Sequence, residues 1–318
     1  MAVVLWKSDP GQSWLSKIKG GHAVYSFRRA LLRGRAFGWQ TVVVGAVLTA
    51  ALALVGAACG SSSPKSSGSA TSGVATSGPA LVVGTSADFP PTSFKDLKTG
   101  KIVGFENDML RAVLPKMGRS FSWSQLDFNG LIPALQSGRI NMVVSGLYDT
   151  TAREQVVDFV DYMKIPLAVM TLKSNLSSVT GPMGLCGHSV AYLVGSPPET
   201  TQLTQWSQQC TSAGKSGITQ RGYQTVAEAV ADISNGRTYA ELEGDIVVLY
   251  VSKTQYGNKL GVAFDVAGGT STIGIAVQKN SPLLAPLKTA VTDWINSPTY
   301  CSTAKTWDLT AGDLVRSC

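Results

Sequence analysis

From residue 80 onward, short apolar runs alternate with stretches whose apolar positions recur at helical spacing. Residues 81–84 (LVVG) form an apolar run ending in a glycine turn. Across 105–117, Phe105, Met109, Val113 and Met117 fall on one face and predict an amphipathic helix. Glu106 and Asp108 lie in its first turn, where carboxylates complement the helix dipole. Residues 121–126 (FSWSQL) predict a strand, 131–137 a helix and 141–146 (NMVVSG) a buried strand. This β-α-β-α-β order argues for a parallel sheet covered by helices. The pattern then repeats, with a strand at 190–193, a helix at 198–209, a short strand at 217–220, a helix at 226–235 and a strand at 239–242. The fold class expected is therefore α/β, with two Rossmann-like lobes. The apolar strands at 167–172 and 273–278 sit where the chain crosses between them, and helices near 283–296 and 299–307 return to the first lobe. Lobe 1 is read as 80–172 with 274–318, and lobe 2 as 173–273.

The first 79 residues read differently. Residues 41–58 (TVVVGAVLTAALALVGAA) are uncharged and follow an arginine cluster. At 1.5 Å per residue they span about 27 Å, near the lower limit for a bilayer. A basic segment, an apolar run and small residues before Cys59 make 1–58 a signal peptide or leader, with a retained signal-anchor helix as the alternative. Gly56, Ala57 and Ala58 abut Cys59 as in a bacterial lipobox, although Gly56 stands where such a motif usually has Leu. Cys59 is the expected lipid anchor. Arg28-Arg29 weakly resembles a twin-arginine signal, and Sec export stays open beside it. Residues 59–79, rich in Ser and Gly, cannot bury a core and read as a flexible tether of about 25 Å r.m.s. span.

Charge changes the picture by its location. The chain carries +7 overall, but Lys7, Lys17, Lys19, Arg28, Arg29, Arg33 and Arg35 against Asp9 put most of it in the leader. The body is near neutral, so no nucleic-acid partner is expected. The five cysteines form no C-x-x-C pair and only two histidines are present, so neither a zinc or haem site nor another cofactor is expected. Export favours oxidation, and four body cysteines permit three pairings. The simplest joins near neighbours, Cys186–Cys210 and Cys301–Cys318.

GTSADFPPTSF (84–94), GKIVGFENDML (100–110), FNGLIPALQSGR (128–139) and SGLYDTTAREQVVDF (145–159) resemble the bacterial extracellular solute-binding proteins of family 3. These are amino-acid-binding components of ABC importers. The resemblance implies the periplasmic-binding-protein type II-like fold: two lobes joined by two strands, closing on ligand as a hinged trap. The same fold also serves sensors and a few dehydratases.

The resemblance also implies a site. Arg153 stands where the family grips the ligand α-carboxylate, and a guanidinium fork suits that task. Phe89 and Phe128 match the aromatic pair that sandwiches the ligand side chain. Ser86 occupies a slot that holds an acid in binders of basic amino acids, with Asp88 two residues on. Ser145, Gly146 and Tyr148 occupy the segment that receives the ligand ammonium, and Tyr148 replaces a small hydroxyl residue. In lobe 2, Gly195 and Ser196 open a strand-to-helix loop suited to a carboxylate, although Pro197 and Pro198 remove donors. Asp245, then Glu243, is expected to bind the ammonium.

The expected function is that of a non-catalytic, exported lipoprotein on the outer face of the cell membrane. It binds an amino acid or similar small polar solute and delivers it to an ABC permease. Two alternatives stand beside it: a dehydratase of a cyclic carboxylic acid, with Glu241 or Glu243 as its acid or base, and a ligand-sensing lipoprotein without transport.

Overall fold

The computed structural model describes residues 78–318 except Gln255. The leader, Cys59 and nearly all of the expected tether lie outside the described residues. The first apolar run forms β1 (Leu81–Thr85) and leads into a small meander of β2 (Asp88–Phe89), β3 (Ser93–Lys95) and β4 (Ile102–Val103). α1 (Phe105–Val113) buries Phe105, Met109 and Val113. It ends four residues before the apolar spacing does, because Pro115 has no N–H for the helix ladder; residues Leu114–Met117 tighten into a 3-10 turn closed by left-handed Gly118. β5 (Phe121–Gln125), α2 (Leu131–Gln136) and β6 (Met142–Val143) follow. β6 is shorter than the apolar run because Ser145 and Gly146 leave the sheet, Gly146 at φ +59°. α3 (Thr151–Glu154) is one turn whose Thr150 cap accepts the Arg153 N–H at 3.3 Å.

The long strand β7 (Val157–Leu172) then carries the chain into the second lobe. There β8 (Ser189–Leu193), α4 (Pro197–Ser212), β9 (Thr219–Tyr223), α5 (Val226–Ser234), β10 (Ala240–Gly244) and α6 (Asp245–Lys253) repeat the alternation. β11 (Leu260–Gln278) returns, followed by α7 (Leu284–Ile295) and α8 (Pro298–Thr306).

Eight strands form one sheet in the order β5-β1-β6-β11-β7-β10-β8-β9. Each half is built alike. Three parallel strands, β5-β1-β6 or β9-β8-β10, meet one antiparallel crossing strand. β7 and β11 pair along nearly their whole length and so are wider than the crossing runs expected at 167–172 and 273–278. Cys186 pairs with Cys210 and Cys301 with Cys318, each with Cα atoms 5.5 Å apart. Among the described residues no helix is long and apolar enough to cross a membrane.

Candidate functional site

The carboxyl ends of β1, β6, β8 and β10 converge on one cavity between the two halves, where open α/β sheets bind ligands. Lobe 1 contributes Ser86, Asp88, Phe89, Phe128, Ser145, Gly146 and Tyr148 to its walls. Lobe 2 contributes Leu193, Val194, Ser196, Gln224 and Glu243. The enclosed volume is about 20 Å³, near the room one water needs. An outer chamber of about 720 Å³ shares Ser86, Asp88, Phe128 and Gln224 with it.

The lobe 1 wall is a satisfied hydroxyl network. Ser145 Oγ accepts the Ser86 N–H at 2.9 Å and lies 2.8 Å from Ser86 Oγ. Ser86 Oγ donates to Asp88 Oδ1 at 2.5 Å. Burial pushes the Asp88 carboxyl up, and that hydroxyl opposes the shift. Gly146 lies against Phe89 so closely that a Cβ there would stand 2.5 Å from the ring. Its N–H donates at 2.6 Å to Glu106 Oε1, a carboxyl held behind the wall that also accepts from Tyr162. Burial raises Glu106 to about 7.

The lobe 2 wall is acidic and poorly satisfied. Glu243 Oε1 accepts the Gly244 N–H at 2.8 Å, while Oε2 is buried without a donor. The Glu199 carboxyl lies against it. Glu199 receives only the Leu193 N–H at 3.4 Å and the Tyr148 hydroxyl at 3.5 Å. Burial raises both acids, and their proximity raises Glu199 further. Ser196 Oγ approaches Glu199 without well-formed hydrogen-bond geometry, so it too is buried and unpartnered.

Two expected residues do not line the cavity. Arg153 donates from Nη1 to the Tyr148 carbonyl at 2.7 Å and from Nη2 to the Gly195 carbonyl at 2.8 Å. Its guanidinium lies 5.7 Å from the Phe128 ring centre. It thus spans the two lobes at a point where left-handed Gly195, φ +93°, lets the backbone approach Phe128 and Asn129. Asp245 lies outside the lining: it opens α6 with its carboxylate turned onto the Ile246 N–H at 2.7 Å. Burial and the adjacent Asp313 push it up. Of the two acids Glu243 lies on the wall, because alternation along β10 puts Glu241 and Glu243 on one face and Asp245 beyond the strand end. Glu199, Gln224, Leu193 and Val194 were not singled out from the sequence. Glu199 sits in the first turn of a proline-initiated helix, where an acid reads as a dipole partner. The signal for the pair was the sequence AELEG, two acids alternating in a strand that is buried throughout.

Residues 81–310 match the bacterial extracellular solute-binding proteins, family 3. The chain belongs to this family. It is 32% identical over 160 residues to an arginine-binding protein of Corynebacterium glutamicum, a span of 50% of this chain and 52% of that protein. The matched segment therefore spans about half the length of that relative. A solved ancestral arginine-binding protein bound to arginine superposes with a TM-score of 0.63 at 31% identity, over 73% of this chain and 99% of that one. An ancestral amino acid-binding protein, described as a precursor of cyclohexadienyl dehydratase, superposes with a TM-score of 0.63 at 26% identity, over 72% and 95%. The fold is that of the type II periplasmic binding proteins.

Proposed function

We propose that this solute-binding protein captures an amino acid with a cationic side chain and hands it to an ABC permease. The observation that carries the reading is the cavity wall: Asp88 and Glu243 face it, Glu199 stands behind Glu243, and no Lys, Arg or His lines it. A desolvated cleft with that charge favours a ligand bearing positive charge beyond its α-ammonium. Ser86 in place of an acid argues against a basic ligand on the family pattern, yet Asp88 and Glu243 supply the charge from other positions. The arginine-binding names of the Corynebacterium glutamicum relative and of the ancestral protein support this reading.

The proposed roles follow. Arg153 exchanges the Tyr148 and Gly195 carbonyls for the ligand α-carboxylate, Phe89 and Phe128 flank the side chain, and Ser145, Gly146 and Ser196 supply polar contacts. Tyr148 fills the cavity and must yield for an amino acid to fit. Cys59 holds the protein to the outer face of the membrane by lipid, and Cys59→Ser is expected to abolish lipid labelling. Calorimetry on the full chain in detergent, against arginine, lysine, ornithine, glutamine, leucine and glutamate, tests the ligand class. The three cationic members are expected to bind at least tenfold tighter than the rest; a preference for leucine or glutamate sinks the reading.

One observation favours a second reading, a dehydratase. Buried acids with raised pKa values in a cleft are poised to donate protons, and Glu243 meets that description while Glu241 does not reach the cavity. Turnover of a prephenate-like substrate, lost in Glu243→Gln, would establish it.

A further inference from the structure

The lobe 2 wall sets carboxyl against carboxyl with too few donors for two anions. Glu199 and Glu243 are both fully buried. Between them they receive two backbone N–H groups and one phenol, two of the three at 3.4 Å or longer. Glu243 Oε2 receives nothing, and the Glu199 carboxyl lies against the Glu243 carboxyl. The charged groups that face the pair from neighbouring elements are acids. Asp88 faces it from β2, with Glu228 of α5 behind it. Glu241 approaches from the same strand, and the Tyr148 phenol lies beside Glu199, Glu243 and Asp245. Arg153 spends both Nη donors on carbonyls. Two carboxylates in contact in a low-dielectric site do not both ionise, and titrate as one unit.

We propose that Glu199 and Glu243 hold one proton between them when no ligand is bound, and that the ligand's cationic side chain takes that proton's place. The carboxyl O–H bond breaks, the proton passes to solvent, and two carboxylates then share one organic cation. Glu243 is on this account the residue that selects positive charge over a neutral side chain of the same shape. The inference rests on the cationic-ligand reading and adds a proton to its stoichiometry.

The sign is fixed by linkage. A ligand that displaces a proton binds tighter as pH rises, tenfold per pH unit while one proton is released, and the dependence flattens once the pair has lost its proton. The test is calorimetry of arginine into the full chain at pH 6 in phosphate, imidazole and bis-tris, whose ionisation heats differ. The slope of heat against ionisation heat is expected to give about one proton released, falling toward zero by pH 9. Citrulline, neutral and similar in shape, is expected to bind at least tenfold more weakly with no release. Glu243→Gln is expected to bind arginine at least tenfold more weakly, also with no release; should that variant fail to fold, the wild-type slope decides alone. Arginine binding with zero slope at pH 6 overturns the proton exchange and leaves the cationic reading intact. Binding of neutral amino acids only overturns both.

Discussion

Glu106 in lobe 1 and Glu241 and Glu243 in lobe 2 are all fully buried carboxyls, yet the two halves treat them differently. Glu106 opens a helix and binds the Gly146 N–H and the Tyr162 hydroxyl, so it pins the loop that forms the lobe 1 wall. Glu106 Oε2 is itself without a partner, but its Oε1 takes those two donors; Glu243 takes one donor on one oxygen, and Glu241 takes none. Two lobes of the same plan thus hold a finished wall and an unfinished one. A buried acid with donors organises structure; a buried acid without them costs stability and persists where a ligand or proton completes it. The comparison breaks most directly by removing one acid from each half. Glu106→Ala strands the Gly146 N–H and Tyr162 hydroxyl and is expected to lose about 3 kcal/mol. Glu241→Met replaces an unpartnered carboxyl among apolar neighbours and is expected to gain about 1–2 kcal/mol. Urea unfolding measures both, and shifts of the same sign would erase the distinction.

A second measurement reads the same contrast through pH. Glu106 and Glu243 each sit near 7, raised by burial from an ordinary 4.5. Between those values the folded chain binds more protons than the unfolded one, so their stabilising contribution is full below about pH 4.5 and is lost as pH rises through 7. The ligand-free protein is expected to lose about 5 kcal/mol between pH 5 and pH 7.5 in urea melts, roughly half from each acid. Saturating arginine is expected to flatten the part owed to Glu243 and leave the part owed to Glu106. A stability that rises across this window would contradict the assignment.

What the sequence reveals follows the same division. The alternation of short apolar runs and amphipathic stretches places the strands of the main sheet and six of the helices, because buried parallel strands and one-sided helices leave strong periodic signals; the short β2, β3 and β4, the single turn of α3, and α6 are not read from it. The crossing strands are legible only in part. Residues 157–166 mix acids and Lys164 with apolar residues, and 260–272 hold three glycines, so neither reads as a long strand although pairing with each other makes them one. At the site, Ser86, Phe89, Phe128, Ser145, Gly146, Tyr148, Ser196 and Glu243 are brought to one cavity. That Glu243 and not Asp245 lines the cavity turns on two positions at a strand end, Asp245 lying just beyond β10, which spacing along the chain does not resolve. Glu199 becomes visible only when α4 folds its first turn against β10.

Arg153 offers the smallest and most discriminating test, because it is the side chain that ties the finished wall to the unfinished one. Its two Nη donors reach carbonyls in different lobes, a fork that a lysine cannot reproduce. If the fork turns to the ligand α-carboxylate on binding, Arg153→Lys is expected to weaken arginine binding about tenfold, about 1.4 kcal/mol. Agmatine, which keeps the guanidinium and lacks the carboxylate, separates this role from simple bridging of the lobes. Its affinity is expected to change less than twofold in Arg153→Lys. An equal loss for arginine and agmatine would make Arg153 a latch between lobes that never meets the ligand, and would leave the α-carboxylate to the Gly195–Ser196 loop of lobe 2.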